Sequence, residues 1–197
     1  MGEIKTDYKI KLICGMLFNP QWCTDKFGTD NYATLTKKIN KMLEQNFTNF
    51  FGVNFEVDNQ SELIKFDFTD YYNDEMGEEI LRYWVSFRPT IVQPRQIYKV
   101  KYLTNELEQK FFCDNNGRRK VNLDPGYIEG SKLILFSTKN YSHRIYLGEG
   151  IFAEVTLIYK HRKFEILPWT YPDYKTEAAL NFFSTVRDKW CEEQNSV

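Results

Sequence analysis

Residues 142–159 decide the fold, and they read SHRIYLGEGIFAEVTLIY. Two segments rich in β-branched and aromatic residues, which favour β-strands, flank Gly148-Glu149-Gly150. Two glycines in a three-residue loop supply the dihedral angles that a tight turn between antiparallel strands requires. The sequence therefore predicts a β-hairpin at this place, with strands over 142–147 and 151–159.

The register of this hairpin follows from the length of its loop. With a three-residue loop the predicted pairs are Leu147 with Ile151, Tyr146 with Phe152, Ile145 with Ala153, Arg144 with Glu154, His143 with Val155, and Ser142 with Thr156. Alternate pairs face opposite sides of the hairpin. One side is therefore apolar and carries His143, while Arg144 and Glu154 form an ion pair on the other side among aromatic and hydroxyl side chains.

The rest of the chain shows strand and helix patterns in an irregular order. Strands are predicted over 10–18, 63–69, 83–87 and 121–123, and the last of them is ended by an Asp124-Pro125-Gly126 turn. Helices are predicted over 30–47, over 94–111 with Pro94 in the first turn, and from about residue 176. Residues 132–136 fit either a strand or a helix. This order predicts an α+β fold with a mixed, largely antiparallel sheet and about three helices. The first six elements fit a ferredoxin-like βαββαβ unit, followed by the C-terminal hairpin and helix.

The composition indicates one globular domain. Hydrophobic residues make up 42% of the 197 residues and charged residues 27%, with a net charge of -1. This is enough apolar material for one core, so we expect a single domain over 1–197, and the charge balance does not favour a general polyanion binder. The sequence shows no membrane span or secretory signal, and its four cysteines are scattered. We therefore expect a soluble, cytoplasmic protein.

Three blocks of the sequence resemble an uncharacterised prokaryotic family, the one catalogued as domain of unknown function 4416. The blocks are FDFTDYY at 66–72, RKVNLDPGY at 119–127, and a long run that starts at Ser131 and ends in LPWTYPDY at 167–174. With residues 104–107 between them, they span nearly the whole chain. The resemblance implies no mechanism, because the family has no assigned activity.

Cations beside the hairpin form the first candidate site. Lys132, Lys139 and Arg144 could together hold a phosphate or a carboxylate, because arginine offers a planar pair of donors. The alternative is that Arg144 only pairs with Glu154, and the two roles are compatible. Further ligand-contacting candidates are Asn122, Tyr146, Trp169 and Tyr171. The aromatic rings among them could stack on a base or a sugar, or could simply close a core.

Three residues are candidates for proton transfer. His143 could act as a general base, since its ordinary pKa lies near neutral pH, although a lone histidine on a hairpin is more often a hydrogen-bonded structural residue. Glu154 and Asp124 could orient the ligand or exchange protons with it. Asp124 shares a strand face with Asn122, so both side chains could reach one pocket.

Asp67 and Asp70 are the metal candidates. Carboxylate oxygens are ligands that Mg²⁺ prefers, and these two residues follow each other closely at the end of a predicted strand. The alternative is that both carboxylates cap exposed backbone N–H groups in a turn.

We therefore expect a domain that binds a small anionic ligand, phosphorylated or nucleotide-like, and acts on it, at the basic and acidic cluster around residues 142–156. Two other interpretations stay open. The protein could be a non-catalytic module that binds RNA or a protein partner through its basic and aromatic surface. The motifs could also serve mainly to stabilise the fold.

Overall fold

The computed structural model describes Gly2, Tyr8–Val92 and Arg95–Asn195. Over these residues the fold is α+β, and all strand pairs are antiparallel. The ten strands of the described chain are β1 (Lys9–Phe18), β2 (Glu56–Gln60), β3 (Ile64–Lys65), β4 (Leu81–Arg88), β5 (Ile91–Val92), β6 (Val121–Ile128), β7 (Lys132–Ser137), β8 (Arg144–Gly148), β9 (Ile151–Lys160) and β10 (Lys163–Ile166).

Five α-helices accompany this sheet in the described residues, rather than the predicted three or so. They are α1 (Pro20–Phe27), α2 (Tyr32–Phe51), α3 (Asn73–Met76), α4 (Val100–Phe111) and α5 (Glu177–Asn195). The three predicted helices correspond to α2, α4 and α5; the two others are short, and short helices carry little periodicity. Pro94, where the second helix was predicted to begin, lies outside the described residues. None of the helices in the described part of the chain is long and apolar enough to span a membrane.

The sheet separates two hydrophobic cores. Its neighbour order is β10-β9-β7-β6-β1-β4-β2, with β3 on β4, β5 on β1 and β8 on β9. Alternate residues of β1 face opposite cores, as a strand buried on both faces requires. Ile10 and Leu12 pack with α1, α2 and α4, whereas Ile13 packs with α5.

The ferredoxin-like prediction is not matched as a unit. Its second strand was placed over 63–69, but the strand there consists of Ile64–Lys65, and most of the pairing with β4 on this edge comes from β2. The sheet also continues past β6 into β7, β9 and β10, so the predicted four-stranded unit does not stand alone.

The hairpin prediction is confirmed for its three central pairs and is wrong at both ends. Strand β8 begins at Arg144, so residues 142 and 143 form a turn, and the predicted pairs of His143 with Val155 and of Ser142 with Thr156 are not part of the ladder. Arg144 pairs with Glu154, and the next two pairs toward the loop also agree with the prediction. Gly148 rather than Leu147 then pairs with Ile151, because the turn has two central residues instead of three. Glu149 and Gly150 both have positive φ, 52° and 79°, which is the geometry of a two-residue hairpin turn. The side of β8 predicted to be apolar faces solvent, and Ile145 is 67% exposed.

The predicted turn at Asp124-Pro125-Gly126 is wrong, since β6 runs straight through it. Its ladder with β7 nevertheless ends there: Gly126 pairs with Leu135, and residues 121–125 pair only with β1. The backbone N–H and C=O of Leu123 point away from β1 and toward the β7 side. In a strand the backbone groups of every second residue point the same way, so Pro125 also faces the β7 side. Proline has no N–H to donate to β7. The sheet therefore opens between β6 and β7.

Helix α4 covers the strand edge that is left open. The Leu123 N–H donates to Glu108 Oε1 at 2.6 Å, and the Leu123 carbonyl accepts from Lys101 Nζ at 2.7 Å. Two side chains of α4 thus make the hydrogen bonds that a neighbouring strand would have made. These hydrogen bonds place the side chains of Lys101 and Glu108 in the interior, and both residues are buried.

Arg82 is one of the largest fully buried side chains and lies on the α5 side of the sheet. Its guanidinium lies 5.0 Å from the ring centroids of both Trp84 and Tyr174. Gly15 on β1 makes room for this arrangement, because a Cβ there would lie 2.7 Å from Arg82 Nη2 and 2.7 Å from the Tyr174 hydroxyl. Any side chain at residue 15 would collide with the charged centre of the fold.

Gly15→Ala is therefore expected to lower the free energy of unfolding by about 1–3 kcal/mol, the usual range for overpacking a core. Urea denaturation measures it. Gly2→Ala is the control, since a Cβ at residue 2 has no neighbour within 4 Å. Equal stability of Gly15→Ala and the wild type would contradict this account of the Arg82 packing.

Candidate functional site

A cleft of about 640 Å³ lies where β6 and β7 separate. Its walls come from β4, α4, β6, the end of β7, the hairpin, the turn before α5 and the segment around α3. The volume is within the range of small-molecule sites. Ionisable residues line it in equal numbers, five cations and five acids: Arg82, Lys101, Arg119, Lys139 and Arg144, with Glu75, Glu108, Asp124, Glu154 and Asp173.

The first of three arginines in the cleft is Arg82, which holds two acids. Its Nη1 donates to Asp124 Oδ2 at 3.0 Å, and its Nε lies 3.0 Å from Asp173 Oδ2. The Arg82 side chain is 1% exposed, whereas 30% of the Asp124 side chain is open to the cleft. Arg82 thus fixes the Asp124 carboxylate from the buried side, and the part of Asp124 that faces the cleft stays accessible.

Arg119 holds two more acids at the other end of the cleft. Its Nη1 donates to Glu108 Oε2 at 2.7 Å and to Asn122 Oδ1 at 2.8 Å, and its Nη2 donates to Glu75 Oε2 at 2.9 Å. Glu75 lies on α3 and Arg119 just before β6, so this ion pair ties the segment around α3 to the strand that lines the cleft.

Arg144 forms an ion pair with the fifth acid, Glu154, and most of its N–H donors are hydrogen-bonded within the protein. Its Nε donates to Glu154 Oε2 at 2.8 Å, and the two side chains are 2% and 1% exposed. Its Nη1 donates to Ser137 Oγ at 3.0 Å and to the Lys139 carbonyl at 2.8 Å, and its Nη2 donates to the Tyr171 hydroxyl. Arg144 is therefore a positioning residue that ties the hairpin to β7 and to the 171–174 turn.

In the described part of the chain, the two lysines of the cleft form no ion pair with an acidic side chain. Among the described residues, neither Lys101 nor Lys139 has a carboxylate oxygen within 4.0 Å. Lys101 is 7% exposed, and its Nζ donates to the Leu123 carbonyl. Lys139 lies at the exposed mouth, where its Nζ donates to the Tyr71 hydroxyl at 2.8 Å. At longer range the charge of Lys101 acts to lower the pKa of Asp124 and that of Glu108, so both carboxylates attract its ammonium without an ion-pair contact.

Burial and neighbouring charge set different pKa values for the acids of the cleft. Burial acts to raise the pKa of Asp124, but the charges of Arg82 and Lys101 outweigh it, and this pKa lies below its usual value. Burial raises the pKa of Asp173 and that of Glu108 in spite of the arginines beside them. Of these three acids Asp124 alone has a lowered pKa, and 30% of its side chain is exposed.

The structure brings together about half of the residues that the sequence analysis selected. Those that line the cleft are Asn122, Asp124, Lys139, Arg144, Glu154 and Tyr171. Burial raises the pKa of Tyr171 to about 12, so its hydroxyl stays protonated at neutral pH. The shared strand face predicted for Asn122 and Asp124 does reach one pocket.

Other predicted residues lie outside the cleft. Lys132 pairs with Glu129, and Tyr146 is 60% exposed on the outside of the hairpin. His143 lies behind Glu154, with its Nε2 at 3.1 Å from Glu154 Oε2. Trp169 stacks on the ring of His143 at 5.1 Å. These side chains support the hairpin from outside, so the structure does not favour His143 as a base that contacts a ligand in the cleft.

The predicted magnesium site lacks geometric support. Asp67 and Asp70 are both exposed, and Asp70 Oδ1 accepts a hydrogen bond from Asn73 Nδ2 at 3.3 Å, which is turn chemistry. In the described part of the chain, no group of three His, Cys, Asp or Glu side chains could hold a metal ion.

Sequence analysis missed Arg82, Arg119, Lys101, Glu108 and Asp173. A signal existed on α4, where Lys101, Thr104 and Glu108 form a buried polar stripe at helical spacing. No comparable signal marked Arg82 or Arg119, because their partners are distant in sequence.

The chain belongs to the family described as domain of unknown function (DUF4416), whose model matches residues 28–190. This confirms the resemblance noted in the sequence. No curated protein and no solved structure matches the chain.

Glu154→Gln is expected to lower the free energy of unfolding by about 3 kcal/mol, because it leaves the buried guanidinium of Arg144 without a counter-charge. Chemical denaturation at neutral pH measures the change. Glu165→Gln is the matched control: Glu165 contacts His161 on the surface, where solvent screens the pair, so its loss is expected to change stability little. A loss at Glu154 no larger than that at Glu165 would show that the buried pair does not stabilise the hairpin.

Proposed function

We propose that this protein binds a small anionic ligand, phosphorylated or nucleotide-like, in the cleft between β6 and β7. The anion is held at Lys101, on the α4 side of the cleft, with Arg119 beside Glu108 as a second donor. This differs from the sequence-based hypothesis in one respect: the anion is held by α4 and the loop before β6 instead of by Arg144.

The observation that carries the proposal is the distribution of charge. Three arginines contact all five acids that line the cleft, and the two lysines are left without one. The ammonium of Lys101 has three N–H donors, and among the described residues it makes one hydrogen bond, to the Leu123 carbonyl. A buried donor without an acceptor is costly, and a bound anion would accept from the donors that remain. A charge-assisted hydrogen bond made in a water-poor site is also stronger than one made at the surface.

The walls of the cleft support an organic anion over a bare inorganic ion. Several aromatic rings line it, among them Phe66, Phe68, Tyr71, Tyr72 and Tyr171. Such rings offer apolar faces on which a base or a sugar can stack. The hydroxyl groups of the tyrosines add hydrogen-bonding positions.

The alternative of an RNA- or protein-binding module calls for a continuous basic surface. In the cleft each arginine is accompanied by at least one carboxylate, so its positive charge is locally balanced. This balance favours a pocket for a small ligand over a stripe that follows a phosphate backbone.

Lys101→Met tests the proposal by removing the ammonium while keeping an unbranched side chain of similar length. We expect that glucose 6-phosphate or AMP raises the melting temperature of the wild type and leaves that of Lys101→Met unchanged. Without ligand, Lys101→Met is expected to be less stable than the wild type by about 1–3 kcal/mol, because the buried Leu123 carbonyl loses its donor. Each ligand-induced shift is therefore measured against the variant's own melting temperature without ligand. Thermal-shift measurements and calorimetric titration give both results.

Lys132→Met is the control, because Lys132 pairs with Glu129 outside the cleft, and it should respond to ligands as the wild type does. The proposal fails if no phosphorylated probe stabilises the wild type. It also fails if Lys101→Met and the wild type bind the probes with equal affinity.

A further inference from the structure

The cleft contains, beside the proposed anion site, an accessible carboxylate, that of Asp124. We infer that Asp124 forms a subsite for a protonated amine, so that the ligand is amphoteric, with an anionic group at one end and an ammonium group at the other. The inference rests on the proposed function, because it concerns the same cleft.

The first argument is the state and access of the Asp124 carboxylate. Arg82 contacts one of its oxygens, Oδ2, and 30% of the side chain remains open to the cleft. The low pKa of Asp124 keeps it ionised at neutral pH. An accessible carboxylate inside a concave site attracts a donor, and a cationic amine makes the strongest hydrogen bond to it.

The second argument is the set of buried polar atoms near this carboxylate. Tyr174 is 1% exposed and Asn122 is 4% exposed, and both line the cleft. The Tyr174 hydroxyl lacks a hydrogen bond of good geometry among the described residues, and a side-chain hydrogen bond from Asn122 helps to lower the pKa of Asp124. Both groups are closed off from solvent, so they surround the Asp124 carboxylate with polar groups and do not themselves contact a ligand.

The third argument is spacing. Asn122 and Asp124 are two residues apart on β6 and share a face, which separates them by roughly 6–7 Å along the strand. Asn122 lies beside Arg119 through its Oδ1, at the anion end, and Asp124 lies beside Arg82. The strand thus presents donors for an anion and an acceptor for a cation at a separation that a short aminoalkyl phosphate can span.

A pair of matched probes tests the inference by calorimetric titration. Propyl phosphate and 3-aminopropyl phosphate share the anion and the chain length, and only the second carries an amine. The wild type is expected to bind 3-aminopropyl phosphate about tenfold more tightly, as one charge-assisted hydrogen bond provides. Asp124→Asn is expected to bind the two probes with equal affinity, and Asp67→Asn, an exposed control outside the cleft, is expected to keep the tenfold preference.

The outcomes separate this inference from the proposed function. If the wild type binds both probes equally, the amine subsite is wrong while the anion site stands. If the wild type binds neither, both are wrong. The wild-type comparison decides between these results even if Asp124→Asn does not fold. A preference that persists in folded Asp124→Asn would also overturn the assignment to Asp124. As a further check, 3-hydroxypropyl phosphate should bind less tightly than the amine; equal affinity would show that the subsite does not select a cation.

Discussion

The buried guanidinium of Arg82 is the contact on which the rest of this structure depends. A charge inside a protein must be paired, and Arg82 finds two acids, Asp124 on β6 and Asp173 in the turn before α5. It reaches Asp124 across β1, which is possible because Gly15 leaves the space free. One side chain therefore links β4, β6 and the C-terminal helix. It also determines where the carboxylate of Asp124 is presented to the cleft.

The cleft itself follows from a missing backbone donor. Pro125 ends the ladder between β6 and β7, and α4 supplies Lys101 and Glu108 to the exposed edge at Leu123. A lysine and a glutamate are thus drawn into the interior for a structural reason. Glu108 forms an ion pair with Arg119, whereas Lys101 forms no ion pair among the described residues. The buried ammonium that makes the cleft a candidate anion site is therefore a consequence of how the sheet edge is covered.

The sequence predicted those features that depend on near neighbours. The pairing of Arg144 with Glu154 follows from ten residues of local pattern, and it holds although the turn has one central residue fewer than expected. The shared face of Asn122 and Asp124 follows from strand alternation. By contrast, Arg82 meets Asp124 across 42 residues, and Arg119 meets Glu75 across 44. No local period records such contacts. The Asp124-Pro125-Gly126 segment has the composition of a turn, yet tertiary pairing with β1 keeps it extended. Asp67 and Asp70, the predicted magnesium ligands, are exposed, and no third His, Cys, Asp or Glu joins them among the described residues, so this site stays a prediction.

We expect the ammonium of Lys101 to bind an anion inside the cleft. A crystal structure of the protein grown with pyrophosphate tests this claim most directly. The account predicts density for the anion between β6 and α4, with one of its oxygens at about 2.8 Å from Lys101 Nζ. An ordered pyrophosphate bound only at the outer surface, with the cleft filled by water alone, would contradict it.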